Sequence, residues 1–316
     1  MNLSNGINTT LDIQYYYYSS DVPEKNSTKI DPGAYIFRSN DSNPVPIIDY
    51  INTRIYKSDV VEEIHCKYSD FASFVVKLYS ESPVIVDWVL GPVPADDGLG
   101  KEVFLRYTPN LNNDGVFYTD ANGRQMIKRI QNTRATYEPH NLDPIAGNMY
   151  PVTSRIYIED LNKNLRFSIF NDRSQGGASI LEGSIDLFVL RRIFTDDSKV
   201  QSYLNETEYG KGLIVRGTHY LYLTKANFKQ NRLFEKKFSK EIELKSQIFV
   251  SLNDDRANGK TFTGLKSKLP FGVHLLSLEK TDDGLLVRFE NYLEKVDVLR
   301  KNIKRVNLKD LFFNIK

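Results

Sequence analysis

Pairs of acidic residues are the first candidates for chemistry in this sequence. A glycosidase needs two carboxyl groups that face each other across a sugar, whereas adjacent residues of a strand point to opposite faces of a sheet. A glycine follows the first and the last of the four aspartate pairs, which is typical of turns. We therefore interpret them as turn residues. The pairs are Asp96-Asp97, Asp196-Asp197, Asp254-Asp255 and Asp282-Asp283.

Histidines and a cysteine are further candidates, as metal ligands or nucleophiles. Cys66 is the sole cysteine, so neither an intrachain disulfide nor a Cys-based zinc site can form. A nucleophile elbow, a phosphate loop and an H-E-x-x-H motif are absent, although a triad that assembles only in space stays open. We expect no catalytic residue and no metal or other cofactor in this chain. The histidines, which lack zinc-ligand spacing, are His65, His140, His219 and His274.

Two polar segments remain as candidates for binding. Asp172–Gly177 ends a predicted strand with polar side chains and two glycines, which suits either the lining of a sugar site or a hairpin connection. Arg191 and Arg192 lie in an otherwise apolar strand, and strand alternation places their side chains on opposite faces. One of them should therefore point inward or into a cleft, where an arginine needs an anionic partner.

Strands must position these residues, because the sequence is rich in residues that favour β structure. It contains 19 Tyr and 18 Phe, whose side chains suit the half-buried surface of a sheet. Turn signals recur about every ten residues, which is typical of a sandwich or barrel. Leu213–Val215 and Tyr220–Leu223 suggest a hairpin around Gly217. The other predicted strands are Ile13–Tyr18, Phe74–Tyr79, Val84–Leu90, Arg155–Glu159, Leu165–Phe170 and Ser184–Phe194.

The clearest helical periodicity lies within Lys225–Lys245, a charged segment that we interpret as a linker or short helix between two β regions. A second set of strands follows it. The sequence therefore predicts a large β domain over 1–225, a linker over 226–245 and a small C-terminal β domain over 246–316. The predicted strands of the small domain are Gln247–Leu252, Gly272–Leu278, Gly284–Glu290 and Arg305–Phe313.

The balance of charge excludes several classes of partner. The 42 basic and 40 acidic residues give a net charge of +2, which does not steer the chain toward nucleic acid or an anionic membrane. No run reaches the ~18 apolar residues of a membrane span, and the N-terminus does not resemble a signal peptide. Sequons for N-glycosylation nevertheless occur, and they have meaning only if the chain is secreted. They are Asn2, Asn8, Asn26, Asn40 and Asn205.

Several segments resemble the lysosomal branch of the family-38 glycoside hydrolases, the α-mannosidases. They occur in that family's order across nearly the whole chain, and Gly147–Asp160 together with NDRSQGG is specific. The segments are Pro32–Arg38, Val86–Arg106, Gly115–Lys128, Asp143–Asp160, Asn171–Gly177, Ser184–Asp197, Leu269–Leu278 and Val306–Phe312.

The resemblance implies an all-β fold, namely a large antiparallel β-sandwich (a supersandwich of the galactose-mutarotase type) followed by a smaller β-sandwich domain. In the family, an α/β barrel that binds zinc and carries the aspartate nucleophile precedes these domains, and no counterpart of it stands in this sequence. The family's large sandwich lends residues to the sugar site, and the tyrosine of its GAY motif falls on Tyr35. The resemblance therefore implies substrate binding by Tyr35 and by one of Arg191 and Arg192.

The intact enzyme implied by this resemblance hydrolyses terminal α-mannose from N-glycan oligosaccharides in the lysosome. This chain would give it scaffold and part of the pocket rim, with a catalytic barrel domain or chain as its partner. By itself the chain would then be inactive. Two alternatives stay open: an inactive truncated product, and an independent lectin-like module that binds mannosides.

Overall fold

The computed structural model describes residues 7–20, 32–80, 83–140, 143–195, 203–226, 229–250, 264–294, 297, 304–309 and 311–313. Contacts between residues divide the chain into two units, Met1–Phe228 and Lys229–Lys316. The segment predicted as a linker, 226–245, contains the helix with which the second unit begins. The predicted domain bounds themselves stay a prediction.

Strands dominate the described residues of the first unit. In chain order they are β1 (Leu11–Ser19), β2 (Val45–Pro46), β3 (Asn52–Lys57), β4 (Val61–Lys67), β5 (Ala72–Tyr79), β6 (Val84–Leu90), β7 (Lys101–Pro109), β8 (Val116–Ala121), β9 (Gln125–Ile130), β10 (Tyr150–Val152), β11 (Arg155–Asp160), β12 (Leu165–Asn171), β13 (Gln175–Ala178), β14 (Ile185–Arg192), β15 (Thr207–Glu208), β16 (Lys211–Gly212) and β17 (Val215–Lys225). A short 3₁₀ helix, Ala146–Asn148, precedes β10.

Most of these strands form two antiparallel sheets. One sheet has six strands in the order β10-β13-β14-β7-β1-β2, and the other has nine in the order β3-β4-β5-β6-β17-β12-β11-β8-β9. One buried apolar cluster takes residues from both sheets, for example Tyr15 and Leu105 from the first and Trp88 and Phe167 from the second. The sheets therefore face each other as a sandwich, and this inner face is the main core. Full burial of each such side chain stabilises the fold by roughly 1.5–3 kcal/mol.

The six-stranded sheet also buries its outer face. A second cluster there contains Tyr18, Phe104 and Phe188 from the sheet, and Phe37 and Ile145 from the segments that cover it. The stacked rings of Tyr18 and Phe104 have centroids 5.1 Å apart. Successive tyrosines of β1 thus contribute to different layers, because alternate side chains of a strand point to opposite faces.

The predicted hairpin around Gly217 is wrong. Residues Val215–Lys225 form one continuous strand, β17, which pairs with β6 and β12. A Cβ atom at position 217 would lie 2.4 Å from Cζ2 of Trp88, so the glycine lets the indole ring pack against the strand. Close packing across the sheet, and not a turn, explains this glycine.

The second unit contains a helix, α1 (Lys229–Glu243), and a hairpin of β18 (Val273–Thr281) and β19 (Gly284–Asn291). The hairpin confirms two of the predicted strands. The strand predicted over 247–252 is wrong for its described part, because 247–250 are not in a strand. Within 305–313, the described residues form a single β-bridge, between Phe312 and Leu265, instead of the predicted strand.

The predominance of strands among the described residues confirms the predicted all-β class. No helix of the described ranges is long and apolar enough to cross a membrane.

Candidate functional site

Tyr35 lies at the tip of a turn between β1 and β2, with 72% of its side chain exposed. The N–H of Gly33 donates to the carbonyl of Ile36 at 2.8 Å and closes this turn. Two residues further on, Phe37 is buried in the outer cluster beside Tyr18. Tyr35 therefore faces solvent while Phe37 anchors the same short segment; we call Pro32–Arg38 the Tyr35 turn.

Arg191 holds the main chain of the Tyr35 turn. Its Nη1 donates to the carbonyl oxygens of Gly33 and Ala34, at 3.4 and 3.2 Å. Its guanidinium carbon lies 5.4 Å from the ring centre of Phe37, and its Nε bonds the carboxylate of Glu102. Arg191 thus has the anionic partner that a half-buried arginine needs, and it connects β14 to the turn that presents Tyr35.

Glu102 is the cross-strand partner of Arg191, on β7. Burial raises the pKa of Glu102, although the positive charge of Arg191 acts in the opposite direction. Because burial of a carboxylate is costly, a buried ion pair is weak evidence for stability. The clearest effect of this pair is to fix where the guanidinium lies.

A β-bulge determines which arginine reaches the turn. The pairing of β14 with β7 shifts between Phe188 and Leu190, so that Val189 is unpaired. Without the shift, Leu190 would stand opposite Glu102. The extra residue instead places Arg191 there, on the outer face with Phe188. Alternation within the sequence correctly separates the two arginines but does not reveal the bulge.

Arg192 has different contacts from those of its neighbour. Its Nε donates to Oδ1 of Asn205 at 2.8 Å, its Nη1 bonds the carbonyl of Val93, and its guanidinium lies 5.4 Å from the ring of Phe194. Of the two predicted arginines, Arg191 is therefore the one that contacts the Tyr35 turn. The assignment of all three residues to substrate stays a prediction.

The segment Asn171–Gly177 is a connection between the two layers, and not the hairpin considered as one interpretation. It leads from β12 of the nine-stranded sheet to β13 of the six-stranded sheet. Asp172 accepts from the N–H of Thr218 at 3.0 Å, and the Asn171 amide donates to the carbonyl of Val152 at 2.9 Å. These side chains are used to join strands, which favours a structural role over the lining of a sugar site.

Gln175 extends this connection to the buried His219, for which the sequence predicted no specific role. The Gln175 amide nitrogen donates to the carbonyl of Phe188, so its oxygen must accept from Nε2 of His219, 2.9 Å away. Nδ1 of His219 then accepts from the Tyr107 hydroxyl at 2.7 Å. Burial lowers the pKa of His219 to about 3, so the imidazole is neutral. Its partners are distant in sequence, and no local signal could have indicated them.

The aspartate pairs that the structure describes lie in turns, as predicted for Asp96-Asp97 and Asp282-Asp283. Asp97 accepts two contacts of 2.7 Å from Nζ of Lys101. The other two pairs, at 196–197 and 254–255, lie outside the described residues. No group of three His, Cys, Asp or Glu side chains in the described ranges could hold a metal ion.

Three sequon asparagines, Asn8, Asn40 and Asn205, are exposed. Asn2 and Asn26 lie outside the described residues. The side-chain oxygen of Asn205 accepts the bond from Arg192, whereas glycosylation modifies the nitrogen. Exposure makes the three sites accessible, and their modification stays a prediction.

In fold, the chain belongs to the class of large β-sandwich proteins, and a solved structure shares that fold. The crystal structure of an alpha-mannosidase from Enterococcus faecalis V583 matches with a TM-score of 0.57 and 13% sequence identity. The match covers 88% of this chain and 33% of that one. The model of the glycosyl hydrolases family 38 C-terminal domain matches residues 4–199, and the chain belongs to this family.

Curated relatives extend this assignment along the chain. A lysosomal alpha-mannosidase from Bos taurus is 37% identical over 287 residues, which are 88% of this chain and 28% of that protein. The lysosomal alpha-mannosidase from Homo sapiens is 33% identical, over 99% of this chain and 31% of the human protein. An alpha-mannosidase from Canavalia ensiformis is 31% identical, over 98% and 33% respectively. The chain therefore spans about a third of the length of the relatives it matches.

Proposed function

We propose that this chain forms the β-sandwich portion of an α-mannosidase that removes terminal α-mannose from N-glycan oligosaccharides in the lysosome. Support for this role comes from the family and from relatives named lysosomal alpha-mannosidase. The carbohydrate, the compartment and the catalytic partner are parts of the proposal. The chain would contribute scaffold and part of the rim of the sugar pocket.

The exposed Tyr35 on its anchored turn is the observation that carries this proposal. A phenol offers an apolar face to a sugar ring and a hydroxyl to a sugar hydroxyl. Arg191, Glu102 and Phe37 fix the turn from behind, so the tyrosine is presented without further ordering of its main chain. A site residue that is already in place loses less entropy when it binds.

The chemical step would belong to a catalytic part outside this chain. Retention of configuration, which the family resemblance implies, requires a carboxylate nucleophile and an acid about 5–5.5 Å apart, and the resemblance implies that the nucleophile is an aspartate. Zinc would likewise be held by that part. The residues of this chain would bind and orient the sugar.

Co-expression with a catalytic chain of the same family tests this function. The complex should hydrolyse an aryl α-mannoside, and the chain alone should not. Tyr35→Phe should lower kcat/KM by a factor that corresponds to a loss of roughly 1–3 kcal/mol in transition-state stabilisation. The reason is that the variant lacks a hydroxyl that bonds the sugar in the transition state. Tyr209→Phe is the matched control, since that tyrosine is 95% exposed in the same unit. Equal kcat/KM for Tyr35→Phe and wild type would refute the role of Tyr35.

The accessibility of Tyr35 also favours a second candidate, an independent mannoside-binding module. If it is correct, the chain alone should bind methyl α-mannoside, as measured by saturation-transfer NMR. Tyr35→Phe should then weaken binding, and Tyr209→Phe should not. Absence of binding to the isolated chain, together with activity of the complex, would leave the α-mannosidase portion as the function.

A further inference from the structure

Two arginines surround one tyrosine ring at an edge of the nine-stranded sheet. The guanidinium carbon of Arg129 lies 4.1 Å from the ring centre of Tyr150, and that of Arg134 lies 5.3 Å from the same point. Arg129 projects from β9, the edge strand, and Arg134 follows that strand. All three side chains are half-buried.

Protein atoms use only part of the hydrogen-bonding capacity of these guanidinium groups. Arg129 donates from Nε to the Thr119 hydroxyl at 3.0 Å. Arg134 donates to the Tyr150 hydroxyl at 2.7 Å, to the carbonyl of Thr133 at 3.0 Å, and to the carbonyl of Gly147. A guanidinium has five N–H donors. Among the described residues, both Nη groups of Arg129 and two donors of Arg134 therefore have no acceptor and remain for a ligand.

Among the described residues, neither arginine of this pair has a negatively charged partner. No carboxylate of the described residues lies within ion-pair distance of either guanidinium. Burial lowers the pKa of Arg129, and the neighbouring charge of Arg134 acts in the same direction. Partly buried like charges are costly unless an anion pairs with them. Lys128, which precedes Arg129 in the edge strand, adds positive charge from an exposed position.

We propose that Arg129, Arg134 and Tyr150 form a binding site for an oxyanion, either a carboxylate or a phosphate group. Guanidinium donors match the paired oxygens of both groups. The tyrosine ring keeps the two arginines in position, and bonds to main-chain carbonyls orient Arg134. The anion has two possible sources: a small solute, or an acidic side chain of the proposed catalytic part. This inference does not depend on the role of Tyr35.

Titration with inorganic phosphate at constant ionic strength tests the site in the full chain. The Nε–H signals of Arg129 and Arg134 in a nitrogen-15 NMR spectrum should shift together and saturate. Arg129→Gln should weaken phosphate binding about 10-fold or more, because it removes charged hydrogen bonds. Lys128→Gln is the matched control, one residue away and exposed, and it should change the affinity less than about 3-fold.

Two further measurements, competition by acetate and addition of a catalytic chain of the same family, distinguish the two possible sources of the anion. If a carboxylate of the catalytic chain fills the site, complex formation should abolish the phosphate shifts, and acetate should compete with phosphate in the free chain. If the ligand is a small anion, the shifts should persist in the complex. The proposal is overturned if neither Nε–H signal moves with phosphate, or if Lys128→Gln weakens binding as much as Arg129→Gln. The first readout uses wild-type protein and so does not depend on the folding of a variant.

Discussion

The two faces of the six-stranded sheet bury polar groups in different ways. On the face toward the core, the Tyr107 hydroxyl donates to His219, and His219 donates to Gln175, so uncharged groups form a chain of hydrogen bonds. On the outer face, the same strands carry two ion pairs, Arg106 with Asp186 and Arg191 with Glu102. Neutral groups suit the interior because burial of charge is costly. The charged pairs lie where short segments cover the sheet, and there they fix the position of side chains and of the Tyr35 turn.

Breaking the more deeply buried ion pair should have the largest effect. Arg106 contacts Asp186 through Nε and Nη2, at 2.7 and 2.8 Å. Arg106→Met should lower the free energy of unfolding by about 3–5 kcal/mol, because it leaves the Asp186 carboxylate buried and unpaired. Urea denaturation measures this loss. The double variant Arg106→Met with Asp186→Leu should recover most of it; a double variant as unstable as the single one would contradict this account.

Acid should lower the free energy of unfolding, because His219 takes up a proton more readily in the unfolded chain than in the folded one. In the unfolded chain this residue takes up a proton near its ordinary pKa of 6.5, but in the folded chain only at about 3. Between these values the unfolded state binds more protons, so stability falls as the pH drops below 6.5. From about pH 7 to about pH 4.5, His219 should cost about 2–3 kcal/mol.

Denaturation of wild type and of His219→Gln across this pH range isolates the contribution. The variant keeps polar atoms in the core but does not titrate, so its stability should depend less on pH. Parallel profiles for the two proteins would mean that His219 is not the group responsible.

Arg191 and Arg192 allow a smaller, local comparison. Arg191→Met should speed amide exchange in the Tyr35 turn about 10-fold, which corresponds to ~1.4 kcal/mol, because two main-chain bonds and an ion pair are lost. Arg192→Met should leave that exchange unchanged, since Arg192 bonds Val93 and Asn205. Hydrogen exchange with peptide-level readout measures both. Equal acceleration by the two variants would show that Arg191 does not hold the turn.

The smallest effect on stability should come from Tyr35 itself. Its side chain is 72% exposed, so Tyr35→Phe should change the free energy of unfolding by no more than about 0.5 kcal/mol. Thermal denaturation checks this value. A larger loss would mean that Tyr35 packs against the protein, and any loss of activity in the variant would then need another explanation.

Much of the fold could be predicted from sequence, because strand patterns are local. The runs at 74–79, 84–90 and 165–170 fall within observed strands, and the segment containing Arg191 and Arg192 forms β14. Gly217 misled the prediction because its role depends on Trp88, a residue of another strand. The connection at Asn171–Gly177 was likewise ambiguous, because the sequence does not show that the strands on either side belong to different sheets.

The candidate site was harder to predict than the fold. Family resemblance indicated Tyr35 and the arginine pair, but the choice of Arg191 depends on the register of β14. The partner of Arg191, Glu102, stands 89 residues earlier in the chain, and Tyr107 stands 112 residues before His219. Such contacts are set by tertiary structure, and periodicity within one strand contains no information about them.

The unpaired Val189 has a consequence for changes in chain length. A one-residue deletion within a regular strand moves every side chain beyond it to the opposite face of the sheet. Removal of Val189, in contrast, would straighten β14 and leave Leu190 opposite Val103 and Arg191 opposite Glu102, as they are now. The bulge is thus a position where the deletion of one residue can be absorbed without exchanging the positions of the two arginines.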